Sequence, residues 1–141
     1  MSFRTSLAIF PLLLLSISCA TPLQIEQKAM AVPFAERWLG FLDSGEQELA
    51  WREVSDLRRL RYQKDTELKR WFGMRGPLGE VLKRRLIISW STVADFIPSV
   101  PEGTYWEISY QTDFEHRKDA DERILLVWED DQWRLLTFSI R

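Results

Sequence analysis

One cysteine, Cys19, and one histidine, His116, are the residues of this chain best suited to nucleophilic or acid–base chemistry. A general base must be held in place by a second group. His116 lies in a charged segment, residues 114–119, with no evident orienting partner. A metal site needs several ligands at suitable spacing, which one histidine and one N-terminal cysteine do not supply. The sequence therefore predicts no catalytic residue, no metal site and no cofactor.

Three carboxylates are the remaining candidates for chemistry, because burial in a pocket would raise the pKa of Asp113, Glu107 or Asp95. Strict alternation over residues 104–114 places Glu107 and Asp113 on the polar side of a strand. They then face away from the apolar side chains of that strand. The pattern favours a role without catalysis, and an enzyme using Asp113 or Asp95 is the alternative.

The first twenty residues have the composition of a signal peptide. Arg4 gives the positive start, and residues 7–17 form an apolar run. That run is too short for a membrane-spanning helix, which needs about 20 residues. We expect residues 1–20 to direct export and to lie outside the folded domain.

Cys19 stands at the end of this leader, in a segment that resembles a bacterial lipobox. A small residue, Ser18, precedes the cysteine, although Ser16 stands where leucine is usual. The resemblance implies a lipid-bearing N-terminus at Cys19, and Ala20 after it favours the outer membrane of a Gram-negative cell. Ordinary cleavage after Ala20, with release into the periplasm, is the alternative.

The second half of the chain predicts four antiparallel strands. Residues 81–91 and 104–114 alternate between apolar and polar, residues 123–129 are apolar on both faces, and residues 132–141 alternate again. The two-residue break at Asp130 and Asp131 predicts a tight hairpin. The charged residues 115–122 are expected to form an exposed connection.

The first half predicts three helices. Residues 25–43 carry apolar side chains at helical spacing, and we expect the ordered helix to start near Val32 because Pro33 suits a first turn. Gly45 is expected to end it in a left-handed conformation. Residues 46–55 and 66–72, the latter capped by Asp65, predict the other two helices. The order indicates an α+β domain, with helices packed on a curved four-stranded antiparallel sheet.

Length and composition support one globular domain, with residues 21–31 as a tether and helix start and residues 32–141 as the domain. The 141 residues are 45% hydrophobic and 28% charged, and the net charge of −2 gives no support for nucleic-acid binding. Seven tryptophans predict a core built from large aromatic rings.

The turn at residues 75–79 is the most specific motif, with Arg75, Gly76, Pro77 and Gly79 breaking the preceding helix. With residues 35–45, Trp51, the turn at residues 98–103 and Trp133, it resembles the bacterial family called domain of unknown function 4019. The resemblance implies a small exported domain without assigned activity. The layout is similar to nuclear-transport-factor-2-like and cystatin-like folds. Enzymes of that cone-shaped type use a pocket acid, which keeps a small hydrolase or isomerase as an alternative.

These observations together predict a lipid-anchored envelope domain with a binding or structural role. The partner is expected to be a protein or a small apolar ligand on the concave sheet, and a homodimer or a subunit of a larger envelope assembly is the alternative. The residues expected to line that surface, where helices leave it open, are Trp90, Trp106, Tyr110, Trp128 and Phe138.

Overall fold

A computed structural model of the chain describes residues 21–92 and 100–141. The predictions for Cys19 and for Asp95 lie outside the described residues. The helices are α1 (Pro22–Asp43), α2 (Gln47–Arg52), α3 (Asp56–Arg59) and α4 (Lys64–Arg75), followed by a 3-10 turn (Gly76–Leu78). The strands are β1 (Val81–Thr92), β2 (Tyr105–Phe114), β3 (Arg117–Glu129) and β4 (Gln132–Ile140).

The four strands form one open antiparallel sheet in the order β1-β2-β3-β4. The predicted α+β class is confirmed. Alternation in β2 is also confirmed, because its buried side carries Trp106, Ile108, Tyr110, Thr112 and Phe114. Most of these side chains pack beneath the helices.

The main core lies between the helices and one face of the sheet, around Trp38 of α1. Trp38 is fully buried, and its ring centroid lies 5.5 Å from that of Trp71 and 5.1 Å from that of Phe138. Its indole Nε1 donates to the Ala50 carbonyl at 3.0 Å, so the buried polar atom keeps a partner. The Trp38 side chain of α1 thus contacts three other elements, which are α2, α4 and β4.

A smaller apolar cluster covers one end of the opposite sheet face. Tyr105, Val127 and Leu136 are buried there, and Leu57 and Val100 pack against them. The Tyr105 hydroxyl donates to the Pro101 carbonyl at 2.6 Å. This end of the outer face is therefore closed.

The predicted β3–β4 hairpin is confirmed at Asp130 and Asp131. Both have left-handed backbones, with φ of 47° and 59°, as a two-residue turn of type I′ requires. Aspartate tolerates this conformation better than most residues, so the turn forms without glycine. The predicted left-handed glycine after α1 is also confirmed, with φ of 77° at Gly45.

The predicted start of the first helix near Val32 is wrong, because α1 begins at Pro22. Thr21 accepts a hydrogen bond from the Gln24 N–H, and the Gln24 side chain accepts from the Thr21 N–H. This reciprocal capping box fixes the earlier start. Pro33 therefore lies inside the helix, where burial of neighbouring side chains such as Phe34 offsets one missing backbone bond.

The predicted exposed connection at residues 115–122 is also wrong. The turn contains only Glu115 and His116, and β3 begins at Arg117. Ala120 and Glu122 are fully buried within this charged stretch. A run of charges indicated a solvated loop, but ion pairing allows a strand to bury one of them.

The helix predicted over residues 66–72 is α4, and it is longer than predicted. Gln63 instead of Asp65 occupies its N-cap.

The turn at residues 75–79 packs against the β2–β3 turn. The His116 N–H donates to the Leu78 carbonyl and the Glu115 N–H to the Glu80 carbonyl, both at 2.9 Å. Gly79 has φ of 77° and ψ of −159°, a region open almost only to glycine. A Cβ atom there would lie 2.6 Å from Glu115 Oε2 and 2.7 Å from its Cβ.

We expect Gly79→Ala to lower the free energy of unfolding by at least about 1–3 kcal/mol, because it adds backbone strain and a steric clash. Urea denaturation measures the difference. Gly76→Ala is the matched control, since Gly76 is helical and a Cβ there meets nothing within 4 Å. Equal unfolding of the two variants would show that the tight approach at Gly79 does not constrain the turn.

Candidate functional site

Four charged side chains form a largely buried cluster where the helices meet the sheet. Arg84 of β1 lies between two carboxylates, donating to Glu122 Oε2 at 2.7 Å and to Asp43 Oδ2 at 2.7 Å. Arg75 donates to the other oxygen of Asp43 at 2.8 Å. Two cations and two anions leave the cluster with no net charge.

Glu122 is the most deeply buried member, with no exposed surface. It accepts two hydrogen bonds from Arg84, at 2.7 and 3.1 Å, and one from the Thr112 hydroxyl. Burial of Arg84 acts to lower its pKa, but the hydrogen bonds that it donates to Asp43 and Glu122, with the negative charges of these carboxylates, outweigh burial and raise the pKa above its ordinary value. All three side chains are therefore held in fixed positions, and none is poised as a general base.

Arg75 has a structural position within this cluster. Its Nε pairs with Asp43, its Nη1 donates to the Gly79 carbonyl, and its guanidinium lies 4.6 Å from the centre of the Phe114 ring. The predicted structural turn is thus built around one arginine, with Gly76 and Pro77 in the short 3-10 turn between its backbone and Gly79. Asp43 is the carboxylate that pairs with Arg75 in the described part of the chain.

The described residues considered for acid–base chemistry are Asp113, Glu107 and His116, and each has different neighbours. Asp113 Oδ1 accepts from the Asp119 N–H at 3.0 Å, and Glu107 lies on the outer sheet face. The His116 side chain is 62% exposed, with Nε2 at 3.8 Å from Glu115 Oε2. Within residues 21–92 and 100–141, no group of three His, Cys, Asp or Glu side chains could hold a metal ion.

Four of the five aromatic residues expected on the binding surface lie in or against the core. Trp106, Tyr110 and Phe138 are buried, and Trp128 is half-buried against Trp133 at 5.0 Å. The helices fill the sheet face that these rings were expected to line. Trp90 alone of the five is exposed, at 49%.

Tyr110 has a hydroxyl without a hydrogen-bond partner among the described residues. Burial raises its pKa, and the negative charge of Glu36 adds to the shift. The neutral phenol is therefore the form that the fold accommodates.

A patch of exposed apolar side chains lies along β1, and we call it the β1 surface. The sequence-based prediction placed Trp90 on the concave face with Trp106 and Tyr110, whereas it pairs with Glu107 on the opposite face. The exposed fractions are 65% for Leu82, 47% for Leu86, 61% for Ile87, 46% for Ile88 and 49% for Trp90.

An irregularity in the β1–β2 pairing explains why this patch escapes burial. Leu86 pairs with Tyr110 and Ile88 with Ser109, so Ile87 is an extra residue in a β-bulge. Alternation predicted one apolar face for the strand, but the bulge moves Ile88 and Trp90 to the face opposite the helices. The signal available in the sequence was the uninterrupted apolar run from residue 86 to 88.

The two edges of the sheet differ in what covers them. At the β4 edge, the Ser55 N–H donates to the Leu135 carbonyl and the Leu135 N–H donates to the Glu53 carbonyl, both at 2.8 Å. In the described part of the chain, β1 pairs only with β2. The β1 edge is thus the open one, and it coincides with the apolar patch.

An apolar cleft on the outer face is another candidate for a ligand. Its lining includes Leu57, Tyr62, Leu125 and Leu136, and its volume is about 170 Å³. Small-molecule pockets usually have roughly 300–1,000 Å³. Arg58 at its wall is already paired with Glu67, its Nε at 2.7 Å from Oε2. The cleft is small for a ligand site, so the β1 surface is the stronger candidate.

We expect Glu122→Ala to lower the free energy of unfolding by about 3–5 kcal/mol, because it breaks a buried ion pair and leaves the half-buried Arg84 with Asp43 as its carboxylate partner. Chemical denaturation of both proteins measures the loss. The control is Arg37→Ala, which breaks an exposed pair with Glu53 at 3.4 Å and should cost about 0–1 kcal/mol.

A double variant, Arg84→Met with Glu122→Leu, should recover most of that stability, because apolar side chains of similar size remove both buried charges together. If the double variant does not recover stability, the ion pair contributes more to the free energy of folding than the neutralisation of its two charges.

No helix in the described ranges is both long and apolar enough to cross a membrane. No curated protein and no solved structure matches the chain. The family model described as "Protein of unknown function (DUF4019)" matches residues 34–138, which include the helices from Phe34 onward, β1 to β3 and most of β4. The chain therefore belongs to the DUF4019 family.

Proposed function

We propose that this protein is a lipid-anchored domain of the bacterial cell envelope that binds a protein partner along β1. The observation that carries the proposal is the β1 surface, where five apolar side chains are each 46–65% exposed on one edge strand. These side chains lie on both faces of the strand, and extensive exposed apolar surface on soluble proteins commonly marks interaction sites. We take the partner's contact segment to be an extended strand.

Strand addition suits this surface for two physical reasons. An edge strand offers unpaired N–H and C=O groups, which an extended segment can satisfy along its whole length. The exposed side chains of Leu86, Ile88 and Trp90 then lose water contact on both sheet faces. Backbone pairing would supply orientation, and apolar burial would supply most of the binding free energy.

The position of the folded domain supports anchoring at Cys19. The capped start of α1 at Thr21 and Pro22 follows Cys19 closely in the chain. Ala31, Phe34 and Ala35 of the same helix are buried in the core. A lipid on Cys19 would therefore hold the domain near the membrane surface, and the diacylglycerol with an N-acyl chain would give stable attachment.

Replacement of the anchor residue tests the location. We expect Cys19→Ser in the full chain to shift the protein from the membrane fraction to the soluble envelope fraction or to leave it unprocessed. Mass spectrometry of the N-terminus of the parent protein should show the acyl chains on Cys19. A parent protein that begins at Thr21 without lipid would contradict the anchoring proposal.

Photocrosslinking in cells tests the β1 surface. We expect p-benzoylphenylalanine incorporated at Ile87 to give a discrete crosslinked product with a protein partner, because a bound strand would lie against that side chain. The matched control is the same residue at Leu60, which is apolar and 84% exposed but belongs to another surface. No product at Ile87, or equal products at both positions, would refute the proposed binding role.

A further inference from the structure

We infer that the partner of the β1 surface is a second copy of this chain, with the two β1 strands pairing antiparallel into a continuous eight-stranded sheet. The inference rests on the proposed binding role of β1 and adds the identity of the partner. Three observations carry it: the edge that is open along its length in the described residues, the division of charge along β1, and the faces that the bulge gives to its side chains.

The first observation concerns the number of open edges. The segment from Glu53 to Ser55 covers the middle of β4, and only β1 is open along its length among the described residues. Two copies that pair through β1 both use this edge, and a twofold axis then closes the assembly. The exposed edge would lead to a dimer and not to a growing fibre.

The second observation is that charge divides β1 into two halves. Lys83, Arg84 and Arg85 lie in the first half, and the residues from Ile87 to Thr92 carry no charge. Antiparallel pairing sets the basic half of one copy beside the neutral half of the other. Parallel pairing would place like charges directly opposite, which is destabilising. The charge pattern therefore selects a twofold arrangement.

The third observation is the face on which each side chain lies. Lys83 and Arg85 pair with Asp113 and Gln111 of β2, and Trp90 pairs with Glu107. All these residues lie on the outer sheet face, because directly paired residues share a face. Because Ile87 is an extra residue in β1, positions before and after it, such as Arg85 and Ile88, lie on the same face.

Several registers match faces across the twofold axis, and the one inferred has its axis between Leu86 and Ile87. It sets Lys83 opposite Trp90 of the second copy, Arg85 opposite Ile88, and Arg84 opposite Ser89. In each pair both residues belong to the same sheet face. The Lys83 ammonium would meet an indole ring, a favourable cation–π pair, with Glu107 next to that ring.

Paired cysteines test this register in the full chain. The variant Lys83→Cys/Trp90→Cys should form a disulfide-linked dimer when copper phenanthroline with oxygen oxidises the two thiols. Each single variant should not, because residue 83 of one copy lies far from residue 83 of the other. We expect the crosslinked fraction to exceed that of either single variant by roughly tenfold or more, since thiols held opposite one another have a high effective concentration. The parent chain reports any background from Cys19.

A second pair guards against a folding defect in the first. Arg85→Cys/Ile88→Cys is predicted to crosslink in the same register, and circular dichroism of each variant checks its fold. Dimers from both double variants and not from the single variants would support the inference. Crosslinking at equal levels in single and double variants would overturn the register and the inference with it.

The outcomes separate this inference from the binding role on which it rests. If neither double variant crosslinks while the photoreactive residue at Ile87 traps a different protein, the second copy is excluded and the binding role stands. If the double variants and the photoreactive residue both give no product, both proposals fall. A photocrosslinked product of twice the chain mass at Ile87 would support both.

Discussion

The ion pair between Arg84 and Glu122 is the constraint on which the arrangement of the domain depends. Glu122 has no exposed surface, and a carboxylate in such a place is tolerated only when its charge is matched and its oxygens are hydrogen-bonded. Arg84 meets both needs and also reaches Asp43 at the end of α1. Arg75 extends the contact to the end of α4. One neutral cluster thus fixes where two helices end relative to β1 and β3.

This cluster also explains how β1 can be well placed and still exposed. Arg84 and the hydrogen bonds to β2 hold the strand, so its apolar side chains are not needed in the core. The tryptophan and phenylalanine rings of the helices, β2 and β4 already fill the space beneath the sheet. Trp38, for example, packs against Trp71 and Phe138. Close packing leaves no room there for Ile88 or Trp90. The exposed strand is what remains once the core is complete.

The two edge strands of the sheet, β1 and β4, are protected from unwanted pairing in different ways. An edge strand can pair with any extended chain, and proteins usually cover or charge it. Here a short segment from Glu53 to Ser55 bonds to the middle of β4. The β1 edge has two basic residues on its outer face and a bulge, but its central side chains are apolar. That combination limits indiscriminate pairing and is compatible with one specific partner.

The amino-acid sequence by itself determined the α+β class, the order of helices and strands, the β3–β4 hairpin and the alternation of β2. Those features follow from local periodicity and turn chemistry, which neighbouring residues decide. Tertiary structure alone decided that Asp43 pairs with Arg75, that Glu122 is buried within a charged run, and that Ile87 forms a bulge. Each depends on residues distant in the chain: Arg84 lies 38 positions from Glu122. The sequence assigned Trp90 to the concave face and did not predict the surface on β1, because exposure is set by what the rest of the core leaves uncovered.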